Sequence, residues 1–248
     1  MISIITPTYN SEDFILETYE SIKSQTFSNW EWLVTDDCSS DSTLKILKEI
    51  QSYDSRVKVF HNKINSGAAV SRNNSISMAS GDFIAFVDSD DIWLSDKLEL
   101  QLKYMNDNSL DFSFTAYSLV DSQNIELGQT VDSKQKQPLC YEDMLRKKAT
   151  LGCSTVMIRR NAFSEISMPN IRTGQDYALW LKLLKTGAKA YPLNKSLTRY
   201  RILPNSISRN KFKKAKRQWE IYRTIERLGL IKSLECFSFY AWRAVFRK

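Results

Sequence analysis

Three carboxylates, Asp88, Asp90 and Asp91, close the apolar run 83–87 in the stretch FIAFVDSDD. Like charges this close must be matched by cations, neutralised by proton uptake, or bound to a metal ion. No Lys or Arg stands within five residues of Asp90 on either side, so a compensating side chain has to be brought in by the fold. A hard divalent cation resolves the repulsion, and Mg2+ in particular is held by one or two carboxylates together with substrate phosphates. The alternative is a polar turn capped by Asp88 or Asp91. A second acidic pair, Asp36 and Asp37, ends EWLVT in VTDDCSSDST, where a turn plus an N-cap is again the alternative. TPTYN ends the first apolar run, with Pro7 stiffening a turn and Thr6, Thr8 and Asn10 offering hydrogen bonds. Asp176, in GQDYALW, stands near a helix start, where a carboxylate can serve as a general base or match the positive helix end.

An alternating framework has to position these groups. Residues 2–6, 31–35, 57–60 and 83–87 read as strands rich in β-branched and aromatic residues. Helical patterns lie between them: SEDFILETYESIKSQ, with Phe14, Ile15, Tyr19 and Ile22 on one face, then SDSTLKILKEI with Leu44, Leu47 and Ile50, then AAVSRNNSISMA. Strands joined by helices of this length imply right-handed crossovers and a mainly parallel, Rossmann-like sheet flanked by helices. Ligands of such sheets bind beyond the carboxyl ends of the strands, which selects residues 6–10, 35–39 and 88–91 as one crevice. Neither a G-x-G-x-x-G fingerprint nor a G-x-x-x-x-G-K-[ST] loop is present to explain it. Farther on, DKLELQLKYM reads as a helix, DFSFTAYSLV and STVMIRR as strands, and 121–138 as an exposed polar loop. GQDYALWLKLLKTG reads as an amphipathic helix closed by Gly187.

SIITPTYN, VTDDCSSDST, NSGAAVSRN, SGDFIAFVDSDDIWLSDKL and GQDYALWLKL, in this order and spacing, resemble the family 2 glycosyltransferases over about residues 1–208. The resemblance implies the GT-A fold, a UDP-sugar donor, Mg2+ or Mn2+ as cofactor, and inversion at the transferred carbon. On this chain it implies that Thr6, Pro7 and Tyr9 wall the nucleoside pocket and that Asp37 accepts from the uracil imide N–H. Arg72 then reaches the base or the diphosphate, Asp88 and Ser89 lie by the nucleotide, and Asp90 coordinates the metal. Asp91 and Gln175 support the loop or the sugars, and Asp176 is the general base. Two departures stand out: Gln175 replaces a frequent Glu before the base, and Leu203 stands where many members carry a metal-binding His. The lone histidine, His61, reads as a surface or turn residue.

The chemistry of the residues agrees with this implication. A sugar leaving a diphosphate passes through an oxocarbenium-like transition state. The diphosphate needs its growing charge stabilised rather than a proton, so one carboxylate base acting on the acceptor hydroxyl is enough.

The 248 residues, 42% hydrophobic, suffice for one large domain with an appendage. The net charge of +7 is uneven: residues 209–248 hold 12 Lys/Arg and 3 Asp/Glu, whereas 1–208 hold 23 and 25. Residues 1–208 are therefore expected to form the catalytic domain, with 1–91 as nucleotide half and 92–208 as acceptor half, and 209–248 a basic amphipathic helical tail. Phe212, Ala215, Trp219, Tyr222 and Ile225 fall on one face of the tail. It suits an anionic membrane surface or a polyphosphate lipid carrier, or else packs its aromatics on the domain. No recognition motif accompanies the charge, which argues against nucleic acid.

Four dispersed cysteines, no signal peptide and no apolar run of membrane-spanning length point to a reduced, cytoplasmic protein, peripheral at most at the inner membrane face. The expected setting is bacterial O-antigen, lipopolysaccharide or capsule assembly on a saccharide carried by polyprenyl diphosphate. Two alternatives stand beside it. A sugar-phosphate nucleotidyltransferase also uses paired Asp, but TPTYNSED lacks the Gly, Lys and Arg of its phosphate loop. A membrane-associated binding module would use the tail alone.

Overall fold

The computed structural model describes residues 1–203 and 211–246. Its strands are β1 (Ile2–Thr8), β2 (Trp30–Asp36), β3 (Val57–His61), β4 (Phe83–Phe86), β5 (Ile92–Trp93), β6 (Phe112–Val120), β7 (Glu126–Val131), β8 (Val156–Arg159) and β9 (Tyr191–Arg201). The helices are α1 (Ile15–Lys23), α2 (Thr43–Tyr53), α3 (Ala68–Ser77), α4 (Lys97–Asp107), α5 (Tyr141–Leu145), α6 (Gln175–Leu184), α7 (Lys211–Glu220) and α8 (Leu230–Phe246). A π-helical turn, Ile221–Ile225, follows α7.

The strands form one sheet in the order β3-β2-β1-β4-β8-β6-β9-β5, with β7 paired to β6 off this path. From β3 to β4 it is parallel, as expected. Beyond β4 it becomes mixed, because β8 runs antiparallel to both β4 and β6 while β6 pairs parallel with β9. The chain winds from β1 outward to β3 and then returns to place β4 on the other side of β1. That reversal opens a crevice at the carboxyl ends of β1 and β4.

Both faces of the parallel strands are covered, so they read as near-continuous apolar runs whose side chains alternate between two cores. Ile2, Ile4, Trp32, Val34 and Ala85 join one core with Tyr19 and Ile22 of α1 and Leu47 of α2. Ile5, Leu33, Ile84 and Phe86 join the other with Trp180 and Leu181 of α6. Each fully buried large side chain contributes about 1.5–3 kcal/mol, so the sheet edge bearing the acids rests on a rigid base.

The tail packs on this second core. Ile221, Tyr222 and Cys236 belong to it, the Tyr222 hydroxyl donates to the Leu145 carbonyl at 2.5 Å, and Trp219 meets Phe237 edge-on. Of the face expected from simple helical spacing, Tyr222 is buried and Phe212, near the start of α7, is not. Ile221 and Tyr222 turn inward while Phe212 is 90% exposed. The junction expected at 208–209 lies outside the described residues. Two further differences concern strands: β7 lies within the stretch expected to be loop, and β9 was not anticipated.

Candidate active site

Backbone pairing brings the strand ends together. Asp37 N–H donates to the Thr8 carbonyl at 2.8 Å and Val87 N–H to the Ile5 carbonyl at 3.1 Å. The Ser11 and Ser89 hydroxyls meet at 2.9 Å, tying the loop after β1 to the loop after β4. Beyond these ends lies a cleft of about 1150 Å³ lined by Pro7, Tyr9, Arg72, Asp88, Ser89, Asp90, Gln175, Asp176, Tyr200 and Leu203, among others.

Asp88 has the remote cation that its sequence neighbours lack. Buried Arg72, on α3, donates to its Oδ1 at 2.5 Å. Burial opposes the Arg72 charge, but neighbouring Cys153, Asp88 and Asp176 hold its pKa up. Asp90 forms no ion pair among the described residues; burial first, and the Asp88 charge second, push its carboxyl up to about 6. Asp91 is 1% exposed and faces away from the cleft. It accepts from Ser154 Oγ at 2.5 Å and from Arg201 N–H at 3.0 Å, and burial with the neighbouring carboxylates pushes its pKa well up. Arg201 also donates to the Asp90 carbonyl at 2.8 Å, so the loop's shape is set by backbone contacts that leave the Asp90 carboxylate unpaired.

The second acidic pair is bound up in its own surroundings. Asp36 accepts from Ser39 N–H at 3.0 Å and Ser39 Oγ at 2.5 Å and meets His61 Nδ1 at 3.1 Å, which makes His61 a turn-side partner of this carboxylate. Asp37 accepts from Asn62 Nδ2 at 2.8 Å and from the N–H groups of Ser66 and Gly67 at 2.8 and 2.7 Å. It thereby fixes the start of α3, where Gly67 adopts φ +91, a left-handed conformation open to glycine.

Thr6 departs from its expected place on the nucleoside wall. Fully buried, its hydroxyl accepts from Trp32 Nε1 at 2.8 Å beneath the strand end. Pro7 and half-exposed Tyr9 do face the cleft. Asp176 occupies the first turn of α6 and lines the same cleft, after Gly174 at φ +72.

Among the described residues no three His, Cys, Asp or Glu side chains form a ready-made metal cage. The donor set nevertheless fits a hard divalent ion. Two carboxylates, Asp88 and Asp90, open on the cleft, and Asp90, whose pKa burial raises, makes no ion pair among the described residues. This is the kind of site in which a nucleotide's phosphates complete the shell.

The family model described as Glycosyl transferase family 2 matches residues 3–167. The chain belongs to this family. A glycosyltransferase named for teichuronic acid biosynthesis, TuaG of Bacillus subtilis (strain 168), is 46% identical over 99% of this chain and 96% of its own. UDP-Glc:alpha-D-GlcNAc-diphosphoundecaprenol beta-1,3-glucosyltransferase WfgD of Escherichia coli is 40% identical, covering 89% of this chain and 85% of its own. The crystal structure of S. aureus TarS 1-349 in complex with UDP-GlcNAc superposes with a TM-score of 0.76 at 23% identity, over 99% of this chain and 73% of that one. The fold of this glycosyltransferase is therefore GT-A.

Sequence reasoning on this glycosyltransferase missed Tyr200, whose phenol pKa is raised by burial and by Asp91, Asp88 and Asp90, and the basic tail residues that line the cleft. The TRYR stretch carried a signal for the former, an aromatic beside an arginine that the fold sends to the acidic loop.

Proposed function

We propose that this glycosyltransferase moves a sugar, with inversion, from a UDP-sugar to a hydroxyl of a saccharide carried on polyprenyl diphosphate, in the assembly of a bacterial surface polysaccharide. The observation that carries the reading is the cleft itself, which Asp88 and Asp90 beyond β4 and Asp176 of α6 line together. The names of TuaG and WfgD support the setting and the acceptor class.

Tyr9 and Pro7 take the base, over buried Thr6, while Asp37, buried and outside the cleft lining, acts through the start of α3 that it fixes. Arg72, Asp88 and Ser89 hold the ribose and diphosphate. Asp90 with Asp88 would hold Mg2+ or Mn2+, which would supply neutralising charge to the departing diphosphate. Asp176 removes the acceptor proton as the hydroxyl oxygen bonds to the anomeric carbon from the face opposite the leaving UDP. Asp91 keeps the acidic loop in place through Ser154 and Arg201, and Gln175 borders the acceptor.

The outward face of α8 exposes Ile231 (86%), Leu234 (54%), Trp242 (58%) and Phe246 (64%) on a strongly basic tail. No helix among the described residues is long and apolar enough to cross a membrane. Such a face suits peripheral attachment to an anionic cytoplasmic leaflet, where a polyprenyl carrier is embedded.

UDP release across a panel of UDP-sugars, with Mg2+, Mn2+ or chelator, tests the reaction, and NMR of the product tests inversion. Metal-dependent turnover with one donor is expected. Absence of turnover with every UDP-sugar overturns the proposal.

A further inference from the structure

The chain entering α6 is fastened to the nucleotide half of the molecule. Asn73 of α3 holds it at Met168, donating from Nδ2 to the Met168 carbonyl at 2.9 Å and accepting from its N–H at 2.8 Å. Four residues on, Arg172 Nη1 donates to Asn65 Oδ1 at 3.0 Å. Asn65 Nδ2 in turn donates to the Asp37 carbonyl at 3.2 Å. A Cβ placed on Gly67 would lie 3.3 Å from Arg172 Nη1, so the guanidinium rests against the start of α3.

Arg172 lines the cleft together with Pro7, Tyr9, Ala68 and Arg72. It is exposed, and among the described residues it forms no ion pair. The charges around it are already matched. Arg72 pairs with Asp88 at 2.5 Å, and Glu165, on the same segment as Arg172, pairs with Lys182 at 2.8 Å. Asn65 takes one N–H of the Arg172 fork, which leaves the others for a ligand. An unmatched guanidinium on the wall that Pro7 and Tyr9 share calls for an anion. The anion a nucleotide brings there is its phosphate chain.

We propose that Arg172 binds the phosphates of the donor nucleotide, and that in doing so it fixes the helix start that carries Asp176. The inference rests on the transfer proposed above and adds a coupling to it. Only Thr173, Gly174 and Gln175 separate Arg172 from Asp176. Gly174 holds φ +72, and a Cβ there would lie 3.0 Å from Ile221 Cδ1, so the short connection is held in a conformation open to glycine. A phosphate gripped by Arg172 therefore also steadies the first turn of α6. Donor loading then sets the base before the acceptor is attacked.

The test is equilibrium binding of UDP, dTDP, GDP and ADP, each beside its nucleoside, to the full chain with Mn2+. The diphosphate that binds most tightly becomes the probe. Arg172→Ala is expected to weaken the probe by about 10-fold and its nucleoside by less than about 2-fold, with Arg172→Lys recovering part of the loss. The second readout is hydrogen exchange of the Ala178 N–H, which donates to the Gly174 carbonyl at 3.0 Å. At saturating probe, where occupancy is equal, exchange should slow by about 10-fold in the wild type and by less than about 2-fold in Arg172→Ala. A variant that keeps the probe's affinity, or loses probe and nucleoside equally, overturns the phosphate contact. Protection kept in full by the variant overturns the coupling. A wild type that binds none of the four diphosphates overturns both. A probe other than UDP would count against the donor named above and leave the Arg172 result standing.

Discussion

Asp36–Asp37 and Asp88–Asp91 follow β2 and β4, the two strands that flank β1, and as sequence they look alike. Their surroundings differ. Asp36 and Asp37 each have three polar partners, among them backbone N–H groups and His61, so their charge is absorbed by the turn they organise. In the other cluster, among the described residues, only Asp88 is ion-paired, and the pKa values of Asp90 and Asp91 rise because burial and mutual repulsion outweigh the partners nearby. A charge left unbalanced at the mouth of a cleft is a charge available to a ligand. The same rule has a mirror image nearby. Lys97 is fully buried over the Trp93 ring at 4.0 Å with Gln101 Oε1 at 2.9 Å, and among the described residues it makes no ion pair.

The largest effect is expected at Asp90. Asp90→Asn should lower kcat by about 10³-fold, the loss typical of removing one transition-state stabilising group. It should also leave Tm unchanged or raised, because a desolvated like charge has been removed. A variant that loses stability in step with activity would place Asp90 with Asp36 and break the comparison.

Lys97 comes next. Burial pushes its pKa down to about 7, whereas an unfolded lysine titrates near 10.4. Between these values the unfolded chain binds more protons, so stability rises with pH across that window and the penalty is complete below it. Lys97→Met should stabilise the protein at pH 6 by on the order of 2–3 kcal/mol and flatten the rise above pH 7, read from urea unfolding. An unchanged pH slope would mean that the buried ammonium has a counter-charge.

The parallel half was legible because its strands are buried on both faces and its helices carry regular apolar spacing, so Ile4, Trp32 and Phe86 declared both layer and order. The acids were legible by their position at strand ends. β9 was not, since YPLNKSLTRYR mixes Pro, Asn and Lys with half-exposed positions and shifts its register against β6. β7 was hidden for the opposite reason: it lies almost wholly in solvent and carries no apolar alternation. The balance of charge could not be read at all. Arg72 meets Asp88 from 16 residues away, and the donors to Asp37 come from 25 to 30 residues along the chain.

The remaining predictions probe the absorbed pair. Asp37→Ala strands the N–H groups of Ser66 and Gly67 at the start of α3, so a loss of about 2 kcal/mol in urea unfolding is expected. UDP affinity should fall with it, since α3 also carries Arg72. His61→Ala touches the same turn from its solvent side and gives the smallest effect. The His61 ring is 43% exposed, so its pair with Asp36 is screened, and Asp36 keeps both contacts from Ser39. A change of about 0.5 kcal/mol or less is expected, with metal-dependent turnover unaltered. If His61→Ala instead abolished the response of turnover to Mg2+ or Mn2+ while leaving stability intact, the metal would belong beside Asp36. The turn that looks self-sufficient would then be the functional end of the sheet.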